Sequence, residues 1–558
     1  MRRLVFLGTF LLALTLRLFD LQNHPVGFTP DEASFGYDAY SILKTGKDQW
    51  GQFLPLTLQS FGDYKLPLYT YLTIPSIATW GLNEFTVRLP NAVVGTLAVL
   101  ATYLMVSVLI KDRRVAVLSA FLLAISPWHI SISRGAFEAN LTTFFMPFGV
   151  WAFYKGLEKP RWMALAALAF GLNLFTYHSA RLFTPLIILL LLWDRRTLLL
   201  HFKAGRKYGI AIAVLAIFIA AAAYAMLFSG AGSRGSDIAI FNPTDNWTGL
   251  ADRRYEAVLA GVPDFIERIF SNKAVYVFKE FSQRYLSYLS SQFLFTQGAG
   301  EWTYGMIAGR GVLYLVELPF VLAALVSFVR RPNKFLGLVL LWLLLAPLPA
   351  ALTKGPGYAG NRVAVMMPAI QVLSAYGALA LWDVVQKRWS RHKVSCAWGS
   401  SLLSCYLAIL LASLGFFLED YYYHAPRDQA QAMLYGRKQA VELASQIENR
   451  YPQIIFSRSL SEPQIYVAFY KKWDPTDYQK QAQDWLRYKA EGRSFVDQLG
   501  QYNLGKFVFR TIQYEDGVNL GPSLLVGSVR EFPPDAKLVN VVKTPNGQPL
   551  ILIVYGKD

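Results

Sequence analysis

TPDEASFGYDAYSILKTGKDQWGQFLPLTLQSFGDYKLP, residues 29–67, follows the first apolar run of the chain and decides how the rest of it reads. It gathers Asp31, Glu32, Asp63 and Lys65 into one polar stretch, in a sequence otherwise dominated by long hydrophobic segments. Part of it, PDEASFGYDAYSILKTG, has aromatic and aliphatic residues at helical spacing and reads as a helix lying in a membrane interface. The segment that follows, Leu66 to Trp80, is apolar but carries Pro67 and Pro75, and reads as a re-entrant or interfacial helix.

The surroundings of this stretch have membrane composition. Of 558 residues, 54% are hydrophobic and only 16% charged, whereas soluble domains carry about a quarter charged residues. Aromatic residues make up 15% and favour membrane–water boundaries. The net charge of +17 does not point to nucleic acid, because the basic residues cluster at the ends of apolar runs: KDRR (111–114), DRR (194–196), RRPNK (330–334) and QKRWSRHK (386–393). That is the positive-inside pattern, with anionic lipid headgroups as neighbours. The two cysteines, Cys396 and Cys405, share one apolar run and imply no disulfide framework. Leu4 to Phe19, after Met1-Arg2-Arg3, resembles a signal peptide without a small-residue cleavage site, and is read as a retained first helix.

A membrane span needs roughly 17–25 apolar residues, which gives about eleven candidates. They lie near 3–21, 87–110, 114–130, 139–155, 161–177, 181–193, 207–228, 311–329, 335–352, 362–383 and 396–418. With the N-terminus in the cytoplasm, the basic clusters fall inside. The loops 22–86, 131–138, 178–180, 229–310 and 353–361 fall outside, and so does the tail. The predicted fold class is therefore a polytopic α-helical membrane protein, residues 1–418, followed by a soluble α/β domain, residues 419–558. The outer loop 229–310 has Gly-rich ends, SGAGSRGS and TQGAGEW, suited to mobility or to close backbone approach. In the tail, Asp428 to Arg450 reads as a helix, GKFVFRT and SLLVGSV as strands, and KLVNVVKTPNGQPLILIVYG as a β-hairpin.

Several polar groups fit a surface site. A carboxylate at Asp31 can take a proton from an acceptor hydroxyl, although Thr29-Pro30-Asp31-Glu32 equally reads as an ordinary helix start with acids in its first turn. Lys65 can pair with a phosphate at headgroup level or snorkel to the interface. Arg134 and Glu138 (SISRGAFEAN), Tyr177, His178 and Arg181 (TYHSAR), and Lys354, Asn361 and Arg362 (TKGPGYAGNR) recur at outer span ends. Arg181 and Arg362 break the positive-inside pattern, and a guanidinium there can clamp a phosphate or anchor in the interface. Glu317 lies inside an apolar run, where a carboxylate is costly and often functional. No metal-binding box, P-loop or dinucleotide fingerprint is present, so a cytosolic nucleotide donor is not indicated and a lipid-soluble donor is.

Three motifs together resemble the GT-C superfamily of polytopic glycosyltransferases, closest to its protein O-mannosyltransferase and aminoarabinose-transferase branch (family 39/83-like). They are the Asp-Glu pair in TPDEASFGYDAY, the acidic-x-Lys-x-Pro element in GDYKLPLYTYL, and Arg-Leu-Pro in FTVRLPNAVVGTLAVLATYLM. The resemblance implies transfer of a sugar, with inversion, from a polyprenyl-phosphate donor on the outer face of the cell membrane. It implies Asp31 as general base, Glu32 assisting, and Lys65, Arg181 and Arg362 as donor-phosphate contacts. Asp63, Tyr64, Tyr37, His178, Arg134 and Glu138 are expected to complete the substrate-binding set. No metal or other cofactor is implied; the partners are the lipid-linked sugar, an acceptor protein, lipid or glycan, and membrane lipids. The second element here is Asp-Tyr-Lys-Leu-Pro rather than Glu-Lys-Pro-Pro, and the mannosyltransferase branch's His-rich version is absent, which leaves donor sugar and acceptor open. The alternatives are a transporter or flippase of lipid-linked sugars, for which an internal repeat is missing, and a non-catalytic membrane assembly subunit.

Overall fold

The chain begins with α1 (Arg2–Leu18), turns through residues 19–29, and enters α2 (Pro30–Thr45). The start of α2 is fixed by a capping box: the Thr29 hydroxyl accepts from the Glu32 N–H, the Glu32 carboxylate accepts from the Thr29 N–H, and Pro30 takes the first helical position. Gly46, at φ 73°, ends the helix in the left-handed conformation that a glycine adopts without strain. A two-stranded hairpin follows, β1 (Leu58–Gln59) against β2 (Tyr64–Lys65), with Leu58 opposite Lys65. Next comes α3 (Leu68–Trp80), 13 residues long; at ~1.5 Å per residue it falls well short of a bilayer's ~30 Å core. This computed structural model describes residues 2–110, 112–199, 207–228, 239–242, 247–355, 357–391, 396–493, 496–514 and 522–556.

Helices occupy each of the apolar runs. They are α1, α4 (Glu84–Leu109), α5 (Arg113–Ile125), α6 (Pro127–Arg134), α7 (Thr142–Glu158), α8 (Pro160–Asn173) and α9 (His178–Asp194), then Gly209–Phe228, Leu318–Arg330, Lys334–Leu345, Ala369–Arg391 and Cys396–Glu419. Among the described residues, 5 helices are long and apolar enough on their own to cross a membrane; there are 6 if α5 and α6, bent by 57°, form one broken span. The break falls at Ser126-Pro127, where the Ser126 hydroxyl caps α6 and proline supplies its first residue. The chain is a polytopic helical membrane protein with a C-terminal α/β domain. The sequence-predicted spans exceed the helices that qualify by length, because several of the apolar runs form helices of 13–17 residues.

Glu317 is explained by local structure. Its carboxylate accepts from the Tyr314 N–H (3.1 Å) and the Ser374 hydroxyl (2.8 Å), capping the helix that starts at Leu318. In the outer loop 229–310, residues 229–238 and 243–246, including SGAGSRGS, lie outside the described residues. The TQGAGEW end turns sharply. Gly298 has φ +65° and packs so closely that a Cβ would stand 1.8 Å from the Arg310 carbonyl oxygen, so glycine here serves close backbone approach.

The C-terminal domain is built on a six-stranded mixed sheet of order β4-β5-β3-β6-β8-β7. Its strands are β3 (Gln453–Ser457), β4 (Gln501–Leu504), β5 (Phe507–Arg510), β6 (Ser523–Ser528), β7 (Leu538–Lys543) and β8 (Pro549–Tyr555). β3 runs parallel to both β5 and β6, and the remaining pairs are antiparallel. The stretch 428–450 is less helical than predicted: the helix proper is Arg437–Gln446, after a turn in which Gly436 holds φ 93°. One sheet face packs onto the outer loop. Phe35, Tyr37, Trp50 and Tyr69 share a single buried cluster with Phe456, Tyr466, Tyr478, Trp485 and Phe509. Hydrogen bonds seal the joint, from Tyr37 Oη to the Trp473 carbonyl (3.1 Å), Tyr466 Oη to the Phe28 carbonyl (2.8 Å), and the Val496 N–H to the Phe61 carbonyl (2.8 Å).

Candidate active site

The first turn of α2 sends its two acids in different directions. Glu32 points inward and is fully buried. Its Oε1 accepts from Arg88 Nε (2.9 Å) and the Ala136 N–H (3.0 Å), while Oε2 serves the helix cap. Arg88, on α4, spends its other N–H groups on the carbonyls of Leu21, Gln22, Pro25 and Gly27. One buried ion pair thus ties the chain between α1 and α2 to the start of α4. Glu32 is therefore committed to the Arg88 pair and the helix cap, and it does not line the cavity that Asp31 faces.

Asp31 faces a cavity of about 200 Å³. Its Oδ1 stands 2.7 Å from Lys65 Nζ, with Asp31 39% exposed and Lys65 6%. The hairpin presents Lys65 from β2, and its ammonium lies over the Phe35 ring (4.6 Å to the centroid) and near Phe61 (5.7 Å). The wall also holds Ser60, Gly62, Asp63, Phe137, Glu138, Tyr177, Tyr304, Asn361 and Glu462. Six residues singled out in the sequence meet here: Asp31, Asp63, Lys65, Glu138, Tyr177 and Asn361. The rest come from the β1–β2 turn (Ser60, Gly62), the segment after α6 (Phe137), the turn at Tyr304, and the C-terminal domain, which supplies Glu462.

The other predicted residues lie elsewhere. Arg134 is buried, donating to the carbonyls of Leu16 (2.8 Å) and Phe19 (2.7 Å) and stacking on Tyr421 and Tyr422, so it anchors the end of α1. Tyr37 is buried in the joint with the C-terminal domain. Tyr64 turns its hydroxyl to Lys489 (3.1 Å), away from the cavity wall. His178 Nε2 is 3.1 Å from the Tyr64 carbonyl and braces the hairpin. Arg362 donates to Thr353 Oγ1 (2.8 Å) and to the Lys354 carbonyl; it is its neighbour Asn361 that lines the cavity. Arg181 stands one turn into α9 from Tyr177. Its Nε donates to the Leu174 carbonyl (3.1 Å), and its buried Nη2 has no hydrogen-bond partner among the described residues.

Tyr304 is the main residue the sequence reading passed over. It sits in the turn after TQGAGEW, and the negative charge of Asp31, together with burial, pushes its phenol well above the ordinary value, so it is an O–H donor beside the carboxylate. Nearby Glu301, accepting from the Asn361 N–H (2.9 Å), is pushed by burial up to about 7. The signal for this loop was its glycines, Gly298, Gly300 and Gly305. Among the described residues one group has metal-ligand spacing, Glu419, Asp420 and His424, with ligand atoms within 4.8 Å of one another. It lies at the end of the last apolar helix; His424 is paired with Glu419 and Asp420 with Arg310, and none of the three lines the cavity.

Residues 65–224 match the family model of the dolichyl-phosphate-mannose-protein mannosyltransferases. Over its whole length the chain superimposes on ArnT from Cupriavidus metallidurans. The apo form gives a TM-score of 0.50 at 11% identity, and the form bound to undecaprenyl phosphate gives 0.51 at 14%, each covering 99% of this chain and 97% of that one. The fold is that of the GT-C membrane glycosyltransferases. No curated protein sequence matches the chain. Within this GT-C frame the family match begins at Lys65 and takes in Arg88, Glu138, Tyr177 and Arg181, whereas Asp31 lies outside it.

Proposed function

We propose that the chain is an inverting glycosyltransferase that moves a sugar from a polyprenyl-phosphate donor to an acceptor hydroxyl or amine at the outer face of the cell membrane. The observation that carries this reading is the Asp31–Lys65 pair on the wall of a polar cavity. Asp31 accepts the proton of the acceptor as its oxygen or nitrogen attacks the anomeric carbon. The sugar–phosphate bond breaks from the opposite side, and the bonding pair leaves with the lipid phosphate. An ammonium has three N–H donors, so Lys65 can hold Asp31 and a phosphate oxygen together. Arg181, whose buried Nη2 has no hydrogen-bond partner among the described residues, is the second cation for the leaving group. The Cupriavidus ArnT structure with undecaprenyl phosphate supports a lipid phosphate as the donor's carrier. With two protein cations available, we infer that no metal is required, so a chelator leaves turnover unchanged.

The test is turnover of a panel of radiolabelled polyprenyl-phosphate sugars by the purified protein in detergent, wild type beside Asp31→Asn. The variant is expected to lose roughly 10²–10⁴-fold, the usual contribution of a general base, with an unchanged melting temperature. Full activity in Asp31→Asn overturns the assignment.

A further inference from the structure

At the end of α1 remote from Asp31, a groove of about 520 Å³ opens between α1, α5 and the helices Ala369–Arg391 and Cys396–Glu419. Its sides are aliphatic and aromatic, with Leu12, Leu118, Phe121 and Leu379 among them. Its floor is Gly8, where an added Cβ would meet nothing within 4 Å, and Thr9, whose hydroxyl is turned back onto the Val5 carbonyl (3.0 Å). No hydrogen-bonding group on this floor asks for water. In a bilayer, an apolar void left unfilled forfeits dispersion contacts, and acyl chains are the neighbours available to fill it.

Two arginines stand at the mouth, and they differ. Arg114 is held by Asp112 (2.8 Å) and Asp383 (3.1 Å). Arg113 is exposed and makes no ion pair among the described residues. We propose that the groove is a binding site for one anionic phospholipid, with an acyl chain along Gly8 and its phosphate on the Arg113 guanidinium. A guanidinium matches a phosphate bidentately. A net negative headgroup is selected over a zwitterionic one because the choline cation would face Arg113 at the mouth. The donor lipid is not the occupant: the groove uses the first half of α1, while Asp31 follows the second half, some ~15 Å further along the axis at 1.5 Å per residue.

The experiment is native mass spectrometry of the purified full chain in detergent, with equal amounts of phosphatidylglycerol and phosphatidylcholine. The wild type is expected to retain one phosphatidylglycerol about fivefold over phosphatidylcholine, the ~1 kcal/mol that one arginine contributes at an anionic headgroup. Gly8→Leu, which fills the groove from an open helix position, is expected to lose that lipid while keeping donor turnover. Arg113→Gln, a surface change, is expected to keep one lipid and lose the preference. Wild-type lipid retention in Gly8→Leu, or an unchanged preference in Arg113→Gln, overturns the proposal.

Discussion

Two adjacent acids, Asp31 and Glu32, have opposite fates because consecutive helical residues point about 100° apart. Glu32 fills a buried position in which every oxygen has a donor, and Arg88 is its sole charged partner among the described residues. Removing one partner of such a pair leaves an uncompensated buried charge and costs about 3–5 kcal/mol. Arg88→Met is therefore expected to unfold well below the wild type in a thermal scan, and Arg88→Met with Glu32→Gln to recover part of the loss; an Arg88→Met protein as stable as wild type contradicts the anchoring role. Lys65 sits on the other side of the problem. Lys65→Met keeps a side chain of similar length but removes the ammonium that lies over Phe35, and turnover is expected to fall about 10²–10³-fold with little change in melting temperature. The helix start at Thr29-Pro30 was legible in the sequence. That Glu32 is the acid turned inward was not, because that depends on Arg88, a residue far along the chain.

At the scale of the element, α2 carries a second buried carboxylate. Asp38 accepts from the Gln49 N–H (3.0 Å), Gln49 Nε2 (3.1 Å) and the Ser34 hydroxyl (3.3 Å). Burial first, then the charge of Asp48, pushes it up to about 8 from 3.8. Its folded form thus holds a proton that the unfolded chain releases. Below about pH 4 both states are protonated and nothing is lost. As pH rises from there toward 8 the unfolded state is favoured progressively, and above 8 the effect levels off. Asp38→Asn is expected to match wild type in melting temperature at pH 5 less closely as pH rises, becoming the more stable protein at pH 8 by at least ~1 kcal/mol. A wild-type melting temperature that rises between pH 5 and 8, with Asp38→Asn below it throughout, contradicts this. Elements of this kind were only half legible. Each apolar run forms a helix, but the break at Ser126-Pro127, which a local cap decides, was not legible. The β1–β2 hairpin that presents Lys65 is too short to leave a period in the sequence.

The whole molecule joins what the composition separates. The shift to polar residues after Leu418 marked a soluble domain, yet that domain's sheet shares one core with α2 and places Glu462 in the cavity wall. Contacts such as Tyr37 to Trp473 span more than four hundred residues and have no signature in sequence, whereas the hairpin β7–β8, which is local, was read directly. If the domain closes the site, it must lie on the same side of the membrane as Asp31, and the positive-inside pattern predicts that both are outside. In a protein with Cys396 and Cys405 changed to Ser, single cysteines at Phe53 (70% exposed) and Val529 (38% exposed) are expected to react with an impermeant maleimide in intact cells. A cysteine at the exposed Arg331, next to the RRPNK cluster, is expected to react only after permeabilisation. Labelling of 53 and 529 on opposite sides would break the shared core and the cavity with it; labelling of both only from the inside would invert the topology and, with it, the side on which a lipid-linked sugar is used.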